Sequence, residues 1–429
     1  MSLKIKLTPA VMLKHTAAWN QYRFNPAQLA FWQDEAILQW LNSGRRSGKT
    51  DLALKKTSLK AWSQPYDKFM LGGPTHQQVK KVLWGDAIIL NLPFIEDISM
   101  SDKVITLKNG CEMHFMGLDE PDRCEGVKWN HFLITEYAKL KSHAWFANLK
   151  PALDTEFPDG RVATGIFESV PEGINHWYER CQYALEHPGG YHSYHTWTSE
   201  EVLSAAKIEE AKNSMDTLMY DQEYLAKFVQ PTGRIYPDYC EKNHTTQVMD
   251  DVGDIYWAHD FNYKPLSSVV MIKKGETYYA VDEIVLENAV ARQAAQEFAE
   301  RFPQYKKRHI RIYGDASGQA GGSSPELSDY QELVSTMKHL GFTNISLFIP
   351  PSNPLIKECQ NALRAYICTV SGARRFMVNP AKCKVLNKGL NIVSVKPGSS
   401  TQEVEIYEQH ITTAARYLFY YISAAAAYG

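Results

Sequence analysis

Ser43-Gly44-Arg45-Arg46-Ser47-Gly48-Lys49-Thr50 is the stretch whose residue types point most directly to chemistry. A tight Gly-containing loop before a helix presents backbone N–H groups and the positive end of the helix dipole, and the two together bind polyphosphate. Lys49 can reach the β- and γ-phosphates of a nucleotide, and the Thr50 hydroxyl can ligate Mg²⁺. The usual pattern has Gly where Ser43 stands, and here Gly44 follows one position later. Upstream lies Phe24-Asn25-Pro26-Ala27-Gln28. The Gln28 amide can donate and accept at once, as reading an adenine edge requires. A plain exposed helix start also suits it.

Further positions carry acidic or hydroxyl chemistry. His131-Phe132-Leu133-Ile134-Thr135-Glu136 is an apolar run ending in an acid. Two acids are expected there, one for the metal and one for the attacking water. Thr135 takes the first place, so Glu136 is assigned the catalytic base. The run Arg161–Phe167 continues into Glu168-Ser169-Val170-Pro171-Glu172-Gly173, where Ser169 suits a γ-phosphate-sensing turn or an ordinary one. In the second half, Asp260 closes the strand pattern 254–261, and Asp315 closes the pattern 309–314. Paired carboxylates at a sheet rim suit two-metal phosphodiester cleavage.

The elements that position these residues follow from periodicity. Ile37, Leu38, Trp40 and Leu41 form a strand before the loop, and Leu52–Lys56 a helix after it. Leu7–Trp19 reads as a leading amphipathic helix. Lys68–Thr75 and His76–Leu90 form the next strand and helix of an α/β sheet. Residues 104–115 alternate around Asn109-Gly110, the pattern of a hairpin. Ser199–Phe228 reads as helical, and Gln230-Pro231-Thr232-Gly233 ends it. That breaker sets the domain boundary, with one domain at 1–230 and another at 231–429. Residues 254–286 read as three antiparallel strands, Ala289–Phe302 as a helix and 309–314 as a fourth strand. This is the order of an RNase-H-like nuclease core.

Composition sets the class. The chain has 429 residues, 44% hydrophobic and 22% charged, with net charge -2. That is ordinary for a globular protein of two or three domains and shows no overall basic balance for nucleic acid. The seven cysteines form no Cys-x-x-Cys pair, which argues against a zinc site and fits a reducing cytoplasm. The N-terminus does not read as a signal peptide, and no apolar run reaches about 18 residues. No membrane association is expected.

With both halves in view, the chain resembles the large terminase subunits of tailed double-stranded DNA bacteriophages. The resemblance runs through Ser43–Thr50, Gly72–Gln78, Lys108–Phe115, Phe132–Ala138, Ser169–Tyr178, Asp221–Ala226, His259–Asn262, Tyr313–Ala316 and Ala414–Tyr417. Ser at the head of an Arg-Arg-containing loop is a habit of that family. The resemblance implies an α/β chain with an N-terminal P-loop (RecA/ASCE-like) ATPase domain and a C-terminal RNase-H-like nuclease domain. It implies ATP and Mg²⁺ as cofactors. Its partners would be double-stranded viral DNA, a portal protein, a small terminase subunit, and other copies in a ring of five on the portal. The location would be the host cytoplasm, docked transiently on the procapsid and absent from the mature virion.

By position, Arg123 resembles an arginine used near the γ-phosphate, a task Arg45 or Arg46 can share. Two departures stand out. Thr135 replaces the metal-linked Asp. Thr413 replaces a nuclease Asp ahead of Ala-x-Arg-Tyr, with His410 one helical turn earlier and Glu283 on the third strand as substitute ligands. An imidazole there favours Mn²⁺ over Mg²⁺. The competing readings are a helicase- or repair-type ATPase with an appended nuclease, a packaging ATPase with a degenerate nuclease site, and a non-catalytic packaging scaffold.

Overall fold

The computed structural model describes residues 8–20, 23–154, 157–229, 233–319, 328–396, 399 and 401–428. The chain separates into two compact units, Met1–Ile208 with Asp221–Gln230, and Glu209–Tyr220 with Pro231–Gly429. Gln230, Pro231 and Thr232, most of the expected boundary, lie outside the described residues.

The first unit is organised on eight strands. These are β1 (Leu38–Ser43), β2 (Lys68–Gly73), β3 (Ile95–Ser99), β4 (Val104–Leu107), β5 (Glu112–Gly117), β6 (His131–Ile134), β7 (Thr164–Ser169) and β8 (His192–Trp197). They lie in the order β3-β4-β5-β2-β6-β7-β1-β8. From β5 to β8 across the sheet every pairing is parallel. β1 and β6 are buried along their whole length, as the core of a parallel sheet demands. The order β8-β1-β7-β6-β2 inserts β7 between the loop-bearing strand and the strand before Glu136. That is the RecA/ASCE arrangement.

The second unit carries β9 (Ile255–Asp260), β10 (Leu266–Lys274), β11 (Thr277–Leu286), β12 (Ile310–Tyr313), β13 (Ile345–Phe348) and β14 (Phe376–Val378). The order is β13-β12-β9-β10-β11-β14. β9, β10 and β11 are antiparallel, and β12 runs parallel to both β9 and β13. This is the RNase-H-like topology with β14 added beside β11. The helix Gln409–Tyr428 covers one face through Ile411, Ala415, Leu418 and Phe419. Helices Ala291–Arg301 and Asp329–His339 cover the other.

Three local expectations change. Ser199–Phe228 is not one helix but two, Ala205–Ser214 and Thr217–Glu223. Asp216 causes the break, because its carboxylate accepts from the N–H groups of Leu218 and Met219 and starts the second helix. The helix from His76 runs to Asn91 but widens to a π turn at Lys80–Trp84. β8, read as no element in the sequence, pairs along the whole of β1. The expected hairpin is present as β4 and β5, with Gly110 at φ 82° in its turn. Among the described residues no helix is long and apolar enough to cross a membrane.

Candidate active sites

The first site forms where β1 hands the chain to the helix Lys49–Ser63. Arg46 at φ 57° and Gly48 at φ 80° both take the left-handed conformation, which folds the loop back onto the helix start. Gly44 has no room for a side chain. A Cβ there would lie 2.3 Å from Ser199 Oγ and 2.6 Å from Tyr224 O. Gly44 N–H donates to Trp197 O, and Ser199 Oγ donates to Arg45 O at 2.7 Å. Gln28 Nε2 and Trp197 Nε1 both donate to Ser47 O, at 3.1 and 3.0 Å. Ser43 and Ser47 share a buried hydroxyl contact of 2.9 Å. The loop is therefore held from several sides, with Lys49 buried at its centre and donating to Gly44 O at 3.3 Å.

The carboxylates gather around the start of that helix. Glu136 follows β6 at φ 53°, a strained conformation for a residue with a side chain. Its carboxylate pairs with Lys139 at 2.7 Å. Burial pushes the Glu136 carboxyl up, but Lys139, Lys49 and Arg45 outweigh burial and hold it below its ordinary value. Glu168, at the penultimate position of β7, is fully buried. Its Oε1 accepts from Thr50 Oγ1 at 2.7 Å and also from Thr135 Oγ1. Burial and then the Glu136 charge push its carboxyl up, against the pull of Lys49.

Other residues expected at this site fall as follows. Gln28 is buried, not an exposed helix start. Its Oε1 accepts from Asn25 N–H in a capping box, while its Nε2 holds the loop. Ser169 is buried and accepts from Ala138 N–H, which ties β7 to the turn after Glu136. Arg45 is exposed and pairs with Glu223 at 2.6 Å. Arg46 is exposed. Arg123 lies in the turn Pro121–Cys124, and its side chain is outside the described residues. Sequence reasoning missed Glu168. The available signal was an acid one position before Ser169 at the close of the Arg161–Phe167 run, together with Thr135 standing where the first of two acids is expected.

The second site sits at the rim of the β9–β12 pair. Tyr313 is level with Ala258 in parallel register, so Asp315 comes level with Asp260 two residues on. Burial and then the neighbouring Asp260 push the Asp315 carboxyl up, as two adjacent acids require. Asp260 accepts from Asn262 Nδ2 at 2.9 Å and faces His410 Nδ1 at 3.1 Å. His410 is held above its ordinary value by that hydrogen bond. Asp315 accepts from Ser317 Oγ, while its buried Oδ1 has no hydrogen-bond partner. The Thr413 hydroxyl is also buried without one.

Glu283 does not join this group. Both its oxygens accept backbone N–H groups at the start of the helix Lys384–Ile392, from Val385 at 2.8 Å and Leu386 at 2.9 Å. The expected metal ligand is instead the cap of a helix. Among the described residues no three His, Cys, Asp or Glu side chains converge as a metal-holding group. Asn262, Ser317 and Tyr330, whose hydroxyl donates to Asp315 O at 2.9 Å, are additions that the motif reading did not assign.

No family model matches this chain, and no curated protein matches it. Solved structures do. The large terminase of a thermophilic bacteriophage superposes with TM-score 0.59 at 14% identity, covering 95% of this chain and 97% of that one. The same terminase with ADP gives 0.60 at 15% identity, covering 92% and 98%. Its complex with ATP-gamma-S gives 0.59 at 15%, with the same coverage. The fold is that of a phage large terminase. The likeness spans both units of this chain, so the ATPase-type and RNase-H-like sheets occur together in one known architecture.

Proposed function

We propose that this chain is the motor subunit of viral DNA packaging. ATP hydrolysis in the first unit drives double-stranded DNA into a procapsid, and a metal-dependent nuclease in the second unit cuts the concatemer. The observation that carries the reading is the convergence of Lys49, Thr50, Glu136 and Glu168 at one helix N-terminus of a RecA/ASCE-ordered sheet. The thermophilic-phage terminase binds ADP and ATP-gamma-S in its crystals, which supports a nucleotide in the corresponding place here.

In the hydrolysis step the loop amides and Lys49 hold the β- and γ-phosphates. Mg²⁺ would be held by Thr50 and would neutralise phosphate charge. The Thr50 hydroxyl, beside a buried carboxylate, fits that ion. Glu136, kept ionised by its cationic neighbours, orients the attacking water and takes its proton. Arg123, Arg45 or Arg46 stabilises charge at the γ-phosphate. In the nuclease, Asp260 and Asp315 would hold Mg²⁺ or Mn²⁺, with His410 hydrogen-bonded to Asp260 beside them, and the ion would supply an activated water and a stabilised leaving oxygen. The buried, unpartnered Asp315 Oδ1 fits a cation there.

The portal, the small terminase subunit and a ring of five copies are the partners of this reading, and the host cytoplasm is its place. A helicase with an appended nuclease is disfavoured, because the second unit has RNase-H-like order and not a second RecA-like sheet. A packaging ATPase with a weak nuclease is favoured by one observation, the uncharged Thr413 where a third acid is expected. The deciding experiment is ATP hydrolysis with and without portal-bearing procapsids and DNA. Stimulation by the two together supports a motor. Hydrolysis that ignores both removes the packaging reading.

A further inference from the structure

Thr135 directly follows β6, where a nucleotide site of this architecture needs a carboxylate for its metal. We propose that Glu168, one strand closer to the loop on β7, supplies that carboxylate and holds the nucleotide's Mg²⁺ through its water shell. The proposal rests on the ATPase reading above.

Register makes the exchange possible. Phe167 pairs with Ile134, so Glu168 comes level with Thr135 on the next strand. Glu168 is also level with Leu41 of β1, two residues before the loop. Adjacent strands lie about 4.8 Å apart, so moving the acid from β6 to β7 brings it one strand nearer the phosphates. The Thr50 hydroxyl already donates to Glu168 Oε1 at 2.7 Å. A carboxylate at that distance from a metal-ligating hydroxyl is within reach of the waters on the same ion. Thr135 is not idle, since it donates to the same Oε1 and fixes the carboxylate's orientation. This is the relation of an outer-shell partner to a ligand set.

The remaining oxygen argues for a ligand. Glu168 is fully buried, and its Oε2 has no hydrogen-bond partner. An unpaired buried carboxylate oxygen is expensive to maintain. A purely structural acid between two threonines gains nothing from that second oxygen, and a glutamine or threonine would serve the same contacts at lower cost. A divalent cation with its waters gives the charge a partner.

The test measures metal-dependent binding, not turnover. Binding of ATP-gamma-S to the full chain is followed by calorimetry in EDTA and across a Mg²⁺ titration. Three proteins are compared: wild type, Glu168→Gln, and Glu168→Gln combined with Thr135→Asp. Glu168→Gln keeps the side-chain shape and the contact to Thr50. It is expected to bind nucleotide like wild type in EDTA, while its apparent Mg²⁺ affinity falls about 10–100-fold, the cost of removing an outer-shell partner. The double variant returns a carboxylate to β6 and should recover much of that loss. Should Glu168→Gln fail to fold, Glu168→Asp draws the same line by withdrawing the charge one methylene from the ion.

Unchanged Mg²⁺ dependence in the Gln variant, or in the Asp variant where Gln does not fold, overturns the assignment and leaves Glu168 a structural residue. Failure of wild type to bind nucleotide under any condition overturns the ATPase reading itself, and the assignment with it. The two failures are therefore distinct.

Discussion

Glu283→Gln separates structure from catalysis in the second unit. The wild-type carboxylate accepts Val385 N–H at 2.8 Å and Leu386 N–H at 2.9 Å. Those are donors in the first turn of the helix Lys384–Ile392, and Cys383 at its own cap position makes no side-chain capping bond. The helix is thus capped from β11. A glutamine has one acceptor oxygen and one NH₂ group, so one backbone N–H would face a donor. The variant loses one charge-assisted hydrogen bond and orphans a buried N–H, a cost of about 2–4 kcal/mol. Burial already disfavours the charged carboxyl, which moves the figure to the low end, about 2 kcal/mol. For a unit of roughly 200 residues that lowers the melting temperature by about 4–8 °C. Scanning calorimetry of the full chain reads it, beside Mn²⁺-dependent DNA cleavage well below the transition. A lower melting temperature with cleavage retained is the expected result. An unchanged melting temperature with cleavage abolished would refute it and return Glu283 to the metal site.

Four further outcomes are expected. Lys49→Ala should abolish ATP hydrolysis in a chain that stays folded by circular dichroism, and wild-type turnover in that variant would end the phosphate-loop assignment. Glu136→Gln should still bind ATP but hydrolyse it at least about 100-fold more slowly, with weak binding and normal turnover as the contrary result. His131 is fully buried, and burial, Lys60 and Lys56 hold its imidazole well below its ordinary value of 6.5. A depressed histidine contributes stability that is present above 6.5 and lost as pH falls below it. His131→Asn should therefore flatten the acid limb of stability by up to about 1.4 kcal/mol per pH unit, read by urea melts at stepped pH. Asp260→Ala and Asp315→Ala should each remove plasmid cutting, with Mn²⁺ supporting more cutting than Mg²⁺ in the parent, and parental cutting by both variants would make the pair structural.

The parts of this chain that were legible in sequence are those whose signal is local. β1, the loop and its helix follow one another along a short stretch and announce themselves by apolar run, glycine and helix formers. The RNase-H-like strand order was legible for the same reason, since β9 to β12 are apolar and aromatic runs set off by turns, with Asp260 closing β9 and Asp315 just after β12. β8 was not legible. Its residues His192-Ser193-Tyr194-His195-Thr196-Trp197 carry no apolar alternation, because they lie at the sheet edge and only Trp197 is fully buried. Gln28 was read by its chemistry, whereas its position is set by a capping box with Asn25 and by the loop carbonyl of Ser47. Glu283 was read as an acid near a strand end. Its partners lie far along the chain, on a helix that periodicity did not reveal.

The two departures noted in the motifs, Thr135 and Thr413, have a common physical logic. A motif fixes a residue by its place along one strand or helix, but an ion responds only to charge within a few ångströms, whichever element brings it. In the first site parallel register sets Glu168 level with Thr135, and the two side chains bond directly. In the second site a helical turn sets His410 on the same face as Thr413, and His410 reaches Asp260 at 3.1 Å. The compensations differ in strength. Glu168 places a carboxylate at a buried position beside Thr50, the kind of oxygen donor Mg²⁺ takes. His410 returns only an imidazole to the Asp pair, and its Nδ1 already lies 3.1 Å from the Asp260 carboxylate. On the proposed reading, the first site regains a carboxylate from a neighbouring strand, whereas the second regains only an imidazole. Of the two proposed activities, ATP hydrolysis has a carboxylate beside its hydroxyl ligand, and cleavage is the one expected to depend on which metal is supplied.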